Sequence, residues 1–352
     1  VIEELGKGGM STVFLAHDTE LRRAVALKVL NEEGTHATTL KRLHREARLA
    51  ANLRHPNIVT VHDIGVAVAG GQTTHFIAME VIEGPTFSDL LGEGKRDRRT
   101  LIHTLEQVAY GIHYAHEHGV THRDLKPGNI LMDGERPVIT DFGLASGESE
   151  QTRLTRSWAV MGTPQYMAPE QVKGDLSRIG PRSDIYALGV MLYEILMGTL
   201  PFAGGSAPET FLKIVKGDLP PMKGVSEDLE AICRKAMERD PSCRYATAGD
   251  FSEDLRRSLA GEPIAARPVS LMYRWLRQIR HHKIVATAGV MLLVVAGSVL
   301  GAATSSRPAW AGAAWAPSTR PKTSAWAGRS RSSASWSVTR RGVSCSTASA
   351  RR

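Results

Sequence analysis

Residues 121–129 read THRDLKPGN, and a second short motif, Asp141-Phe142-Gly143, follows soon after Asn129. An Arg–Asp pair, a lysine, an asparagine and another carboxylate thus sit at tight intervals around the apolar Ile130-Leu131-Met132. Unpaired buried charge is costly, so a charged cluster threaded through an apolar scaffold marks a site. A second candidate opens the chain. LGKGGMSTV, residues 5–13, places Gly6 and Gly8 where a strand must turn tightly. Glycine takes up positive φ without a Cβ clash and lets backbone approach a phosphate. The glycines alone do not settle the matter, because Ser11 occupies the third position of G-x-G-x-x-G.

The elements that must carry these residues narrow the choice. A dinucleotide-binding fold wants a helix directly after its glycines, whereas STVFLAHD has the alternation of a strand. Val25-Ala26-Leu27-Lys28-Val29-Leu30 reads as a buried strand. Residues 38–53 place Leu40, Leu43, Ala47 and Ala50 at helical spacing with a basic outer face. HPNIVTVHDIG and HFIAMEVIEG read as further strands, and from about residue 86 the pattern turns helical. TLIHTLEQVAYGIHYAHEHG and SDIYALGVMLYEILMG are the clearest helices. A small strand-rich part and a larger helical part, joined near residues 80–85, are expected. The chain opens inside a strand-like alternation without a Met, which implies that its extreme N-terminus is missing.

The 352 residues can build a large core, and 42% hydrophobic with 23% charged residues is ordinary for a globular protein. Cys233, Cys243 and Cys345 are too few and too scattered for a disulfide framework or a zinc site. The net charge of +8 resembles a nucleic-acid signal until it is located. Residues 307–352 hold nine of the 44 basic residues and no acid, leaving 35 basic against 36 acidic groups in the body. Nucleic acid is therefore not an expected partner.

Residues 284–303, IVATAGVMLLVVAGSVLGAA, are an uncharged run. At ~1.5 Å per residue a helix of this length spans roughly 30 Å, the thickness of a hydrocarbon core. Arg274, Arg277, Arg280 and Lys283 border it within a basic segment, 263–283, so the positive-inside rule puts the N-terminal body in the cytoplasm. The expectation is a single-pass protein of the cell membrane. Residues 304–352 are rich in Ala, Ser, Arg and Trp without periodicity. They read as a disordered extracytoplasmic segment or, better, as the product of a shifted reading frame.

A protein-kinase hairpin keeps a strand after the glycines, and it demands more residues. It needs a lysine in a Val-Ala-x-Lys strand, supplied by Lys28, and a glutamate on the next helix, supplied by Glu46. With GKGGMSTV, VALK, HRDLKPGN, DFG, GTPQYMAPE and DIYALG in order, residues 1–262 resemble a bacterial, eukaryotic-like (Hanks-type) serine/threonine protein kinase, a type often anchored by one membrane span. The resemblance implies an α+β bilobal fold with a small β-rich N-lobe (1–80), a hinge (80–85) and a larger helical C-lobe (86–262), followed by one transmembrane helix.

The resemblance also implies roles. Phosphoryl transfer asks for positioning and charge neutralisation more than covalent help. Asp124 would accept or orient the proton of the substrate hydroxyl, and Lys126 would screen charge at the γ-phosphate of ATP. Asn129 and Asp141 would hold Mg²⁺ through oxygen, which suits a hard cation. Lys28, paired to Glu46, would contact the α/β-phosphates beneath a loop of Gly6, Lys7, Gly8, Gly9, Met10 and Ser11. Val13, Ala26, Met79 and Leu131 would line the purine pocket, and the backbone of Glu80 and Ile82 would meet the adenine edge. Arg123 would await a phosphate on the loop between DFG and APE, where Thr152, Thr155 and Ser157 are the candidate acceptors. Lys126 and Thr163 fit the Ser/Thr class, so protein substrates with Ser or Thr acceptors are expected. Glu170 would pair with Arg244, Asp184 would hold the catalytic-loop backbone, and His122 would pack as a core histidine. Dimerisation with phosphorylation in trans is implied too, although no residue marks a dimer face.

Three rivals remain. A pseudokinase, an ATP-binding scaffold without transfer activity, would be favoured by loss of Lys28, Asp124 or Asp141, and all three are present. A small-molecule phosphotransferase generally lacks a GTPQYMAPE platform. A membrane receptor would need an outer sensor, for which the segment after residue 303 is short and featureless.

Overall fold

The computed structural model describes residues 1–7, 11–30, 49–69, 72–142, 164–216 and 218–267. These fall within one compact unit. Gly8, Gly9, Met10, Glu46, Gly143, Thr152, Thr155, Ser157, Thr163 and the apolar run at 284–303 lie outside the described residues. No described helix is long and apolar enough to cross a membrane.

The first part is an antiparallel sheet of β1 (Glu3–Lys7), β2 (Ser11–Asp18), β3 (Arg23–Leu30), β4 (Val61–Ala69) and β5 (Gln72–Met79), in the order β1-β2-β3-β5-β4. β3 is central because Val25, Ala26, Lys28 and Leu30 are all buried on it. The HPNIV stretch, expected within a strand, instead precedes β4 as a loop pinned to the second part. Asn57 donates from Nδ2 to Pro137 O at 2.8 Å, and Ile58 bridges Ile139 in parallel. Gly65 lies opposite Phe76, whose ring would be 2.4 Å from an added Cβ, so the missing side chain gives the ring its place.

The second part is helical. α1 (Phe87–Glu93) leads to α2 (Arg98–Glu117), which buries Leu101, Ile102, Leu105, Val108, Ala109, Ile112 and Ala115 on one face. This is the apolar stripe of an amphipathic helix. A short hairpin follows, β6 (Ile130–Asp133) and β7 (Arg136–Ile139), paired Ile130 to Ile139. After α3 (Pro169–Val172), α4 (Pro181–Met197) is buried over almost its whole circumference. A helix apolar all round belongs at the centre of a core. α5 (Ala207–Lys216) lies against α3, while α6 (Glu227–Ala236) and α7 (Ala248–Ala260) pack against α4 together with α2. α4 meets α6 closely at Gly189, where an added Cβ would come within 2.7 Å of Met237 and 2.8 Å of Ala236. The whole is a β-sheet lobe and a helical lobe, with residues 80–86 between β5 and α1.

Candidate active site

The charged motif at 121–129 becomes the loop between α2 and β6, and α4 fixes its shape. Asp184, in the first turn of α4, is only 1% exposed. Its Oδ2 accepts the N–H of His122 at 2.8 Å, its Oδ1 accepts the N–H of Arg123 at 2.8 Å, and His116 Nε2 lies 2.8 Å from Oδ2. This grip holds Arg123 at φ 66°, a region that non-glycine residues seldom enter. His122 is buried, and its Nε2 lies 2.9 Å from Thr140 O. A carbonyl only accepts, so Nε2 carries the proton and Nδ1 accepts the Asp124 N–H at 3.3 Å. His122 is thus a core histidine, its ring centre 4.9 Å from that of Phe142 and tilted 45° to it, with both ring nitrogens engaged.

Asp124, Lys126 and Asn129 meet. Lys126 Nζ donates to Asp124 Oδ2 at 2.8 Å, and Asn129 Nδ2 donates to Asp124 O at 2.7 Å. With Nδ2 committed, Asn129 turns its Oδ1 to other partners. Thr140 N–H donates to Asn129 O at 2.9 Å, which carries the strand end bearing Asp141 alongside. Asp141 sits at φ 62° and receives Lys28 Nζ at 2.6 Å. Lys28 is 7% exposed, so burial obliges its ammonium to find an anion. The expected partner, Glu46, lies outside the described residues; the anion found is Asp141. Asp124, Asn129 and Asp141 offer hard oxygen donors, as Mg²⁺ prefers. No group of three or more His, Cys, Asp or Glu side chains that could hold a metal occurs among the described residues.

Ala26 on β3 lies directly opposite Met79 on β5, both 7% exposed, and packs with Ile77, Val138 and the partly buried Val13 and Ile82. Gly6 and Lys7 lie exposed on β1, Ser11 and Val13 are half-buried on β2, and Leu131 is half-buried on β6. The Glu80 N–H is spent on Thr60 O at 2.9 Å, so its carbonyl is the group left for a ligand's edge. Behind Met79 a separate apolar cavity of about 20 Å³ lies among Ile58, Val59, Val61, Ile77 and Phe142, with Asp141 at its wall.

The platform residues join the same frame. Glu170 and Arg244 form the expected pair, bidentate at 2.7 and 2.8 Å and buried. Ser183 Oγ adds a bond to Glu170 at 2.7 Å, and the Arg244 guanidinium lies 4.9 Å from the Tyr186 ring centre. Three contributors escaped sequence reasoning. Gln171 donates to Arg123 O at 2.7 Å and accepts the Ala168 N–H at 3.0 Å, tying platform to catalytic loop. Tyr166 donates its hydroxyl to Glu194 at 2.6 Å; burial raises the pKa of both groups, and the mutual hydrogen bond raises the tyrosine further while opposing the rise at the carboxyl. Gly84 passes so close to Met132 O that an added Cβ would stand 1.8 Å away. Its signal was the Gly-Pro step at 84–85; Gln171 and Glu194 carried none.

The protein-family description "Protein kinase domain" matches residues 1–254. The chain is 39% identical over 272 residues to the serine/threonine-protein kinase PknB of Mycobacterium leprae, covering 75% of this chain and 43% of that protein. To PknB of Mycobacterium tuberculosis strain H37Rv it is 39% identical over 275 residues, covering 76% and 44%. To PrkC of Bacillus subtilis it is 37% identical over 263 residues, covering 73% and 40%. The chain therefore spans only about two fifths of the length of these relatives. Since the matched span holds both the sheet with Lys28 and the loop with Asp124, Asn129 and Asp141, the chain belongs to the protein kinase domain family.

Proposed function

We propose that this chain is a membrane-anchored serine/threonine protein kinase that uses Mg-ATP. The observation that carries the reading is the mutual contact of Asp124, Lys126 and Asn129 next to the Lys28–Asp141 pair. The family uses ATP and Mg²⁺, and the relatives' names specify serine/threonine-protein kinases. When bound, Mg²⁺ supplies positive charge at the β- and γ-phosphates.

Asp124 orients the acceptor hydroxyl and takes its proton as the oxygen attacks the γ-phosphorus, while the bond from that phosphorus to the β,γ-bridging oxygen breaks and ADP leaves with its electron pair. Lys126, already hydrogen-bonded to Asp124, faces the charge that develops on the transferring oxygens. Asn129 Oδ1 and the Asp141 carboxylate would hold the cation. Lys28 holds the α/β-phosphates, and Glu46 is its proposed second partner. Gly6, Lys7, Gly8, Gly9, Met10 and Ser11 cover the phosphates. Val13, Ala26, Met79 and Leu131 sandwich the purine, with Glu80 and Ile82 offering backbone to its edge. Thr163 positions the acceptor near Asp124 and Lys126. Arg123 receives a phosphate placed on Thr152, Thr155 or Ser157 by a second copy of the chain, and residues 284–303 anchor the protein.

The test is intact mass of the full chain in detergent after incubation with Mg-ATP, beside Asp124→Ala. Phosphates gained only by the parent, mapping within residues 152–163, are expected. Unchanged mass with ATP binding retained would instead establish an ATP-binding scaffold.

A further inference from the structure

The segment before α2 concentrates cations. Lys95, Arg96, Arg98 and Arg99 all lie exposed within residues 92–100, facing only Glu93 and Asp97. Lys95 is 3.7 Å from Glu93, and its side chain is 79% exposed. Asp97 is occupied as the cap of α2, accepting the Thr100 N–H at 3.3 Å. Arg96, Arg98 and Arg99 form no ion pair among the described residues. Five arginines elsewhere on the helical lobe behave differently. Arg178, Arg234, Arg239, Arg256 and Arg257 each meet a carboxylate within 2.8 Å. Nor do the four cations serve the fold. Arg98 and Arg99 occupy the first turn of α2, where the helix dipole disfavours positive charge and the one carboxylate at this end, Asp97, is spent on the cap.

The chain's own course says what this face meets. α2 and α7 run antiparallel, since Ser252 Oγ donates to Glu106 O at 3.1 Å while Gly249 packs on His113. The C-terminal end of α7 therefore lies beside Arg98 and Arg99. The chain then doubles back, with the N–H groups of Ala265 and Ala266 on the Asp254 carboxylate at 2.6 and 2.8 Å. From Asp254 to Ala260 is ~9 Å along α7. The last described residues thus lie about 9 Å back along α7 from its C-terminal end, with Arg267 paired to Glu227 at 2.6 Å, and Arg274, Arg277, Arg280, Lys283 and the apolar run at 284–303 follow them in sequence.

We propose that Lys95, Arg96, Arg98 and Arg99 form a binding surface for the anionic lipid headgroups of the bilayer that holds the chain. This inference rests on the membrane-anchored reading above. Each cation held within a Debye length of an anionic surface strengthens attachment about fivefold, so four together fix which face of the kinase looks at the membrane.

The experiment uses the full chain in vesicles of phosphatidylcholine, with or without phosphatidylglycerol, followed by flotation and amide hydrogen exchange. The chain is expected to float with both vesicles, and exchange over residues 95–101 is expected to slow about tenfold only where phosphatidylglycerol is present. The variant Lys95→Gln/Arg96→Gln/Arg98→Gln/Arg99→Gln is expected to float equally, to keep its Tm and peptide-phosphorylation rate in detergent, and to lose the slowing. Flotation without any effect of lipid charge, or slowing that survives in the variant, overturns the surface and leaves the anchor standing. Failure to float with either vesicle overturns both.

Discussion

Asp184 shows how much of a site can rest on one buried carboxylate. It takes the N–H groups of His122 and Arg123 and faces His116, so the Arg123 N–H, on a backbone at positive φ, is held from a helix far along the chain. Asp184→Asn would turn a donor toward a donor. The expected cost is about 1–3 kcal/mol of stability, with a larger fall in turnover as the Asp124 loop relaxes, read by Tm and kcat. Glu194 makes a different prediction. Burial raises its pKa, so the folded state binds its proton more tightly than the unfolded chain, and stability falls as pH rises through the window above the ordinary carboxylate value. Glu194→Gln keeps an acceptor for Tyr166 and removes the titration. Its Tm relative to the parent is expected to climb as pH rises above the ordinary carboxylate range, and a pH-independent difference would contradict the assignment. Asp184, His122 and the Glu170–Arg244 pair could be read from sequence because each belongs to a motif. Gln171 and Glu194 could not, because each is defined by a partner that only folding brings near, and Gly84 showed only as a Gly-Pro step.

At the scale of elements, two close approaches and one buried ion pair carry the arrangement. Arg244 spends its guanidinium on Glu170 and on the carbonyls of Arg182, Glu238 and Arg239. Arg244→Ala strands the Glu170 charge in the core and is expected to cost about 3–5 kcal/mol, measured by denaturant unfolding. Gly84→Ala drives a methyl into the Met132 carbonyl, a backbone neighbour with nowhere to yield. The expected result is a shifted stretch between β5 and α1, with weaker ATP binding by calorimetry at nearly unchanged Lys28–Asp141 chemistry. The periodic helices were plain in the sequence, for α2 and α4 carry long apolar faces. β4 was less so. Its approach, HPNIV, ends in the β-branched Ile58 and Val59, yet Asn57 and Ile58 pair with β7 instead of the sheet. Pairing partners in sheets are set by tertiary contacts that alternation alone does not encode.

For the molecule as a whole, the two-lobed division was legible because the hydrophobic period changes from two to 3.6 after the strands. The charge was legible only once divided, a nearly neutral body and a basic end. A ligand that binds the folded state alone stabilises it by mass action, by about 2.7 kcal/mol at a hundredfold excess over Kd. Mg-ATP is expected to raise the Tm of the parent, while Lys28→Met, deprived of its phosphate-facing cation, should show little shift in the same thermal scan.

The loop before β4 has a mechanical consequence. Val59 N–H bonds to Ile139 O, and Ile139 N–H to Asn57 O, so this stretch moves with the helical lobe although it feeds the sheet. Residues 80–86 make the second crossing, pinned where Met132 N–H meets Pro85 O. Two anchored crossings define a line. The sheet can swing about that line like a door on two hinges, opening and closing over Asp124, while sliding or twisting across it would have to break both sets of bonds.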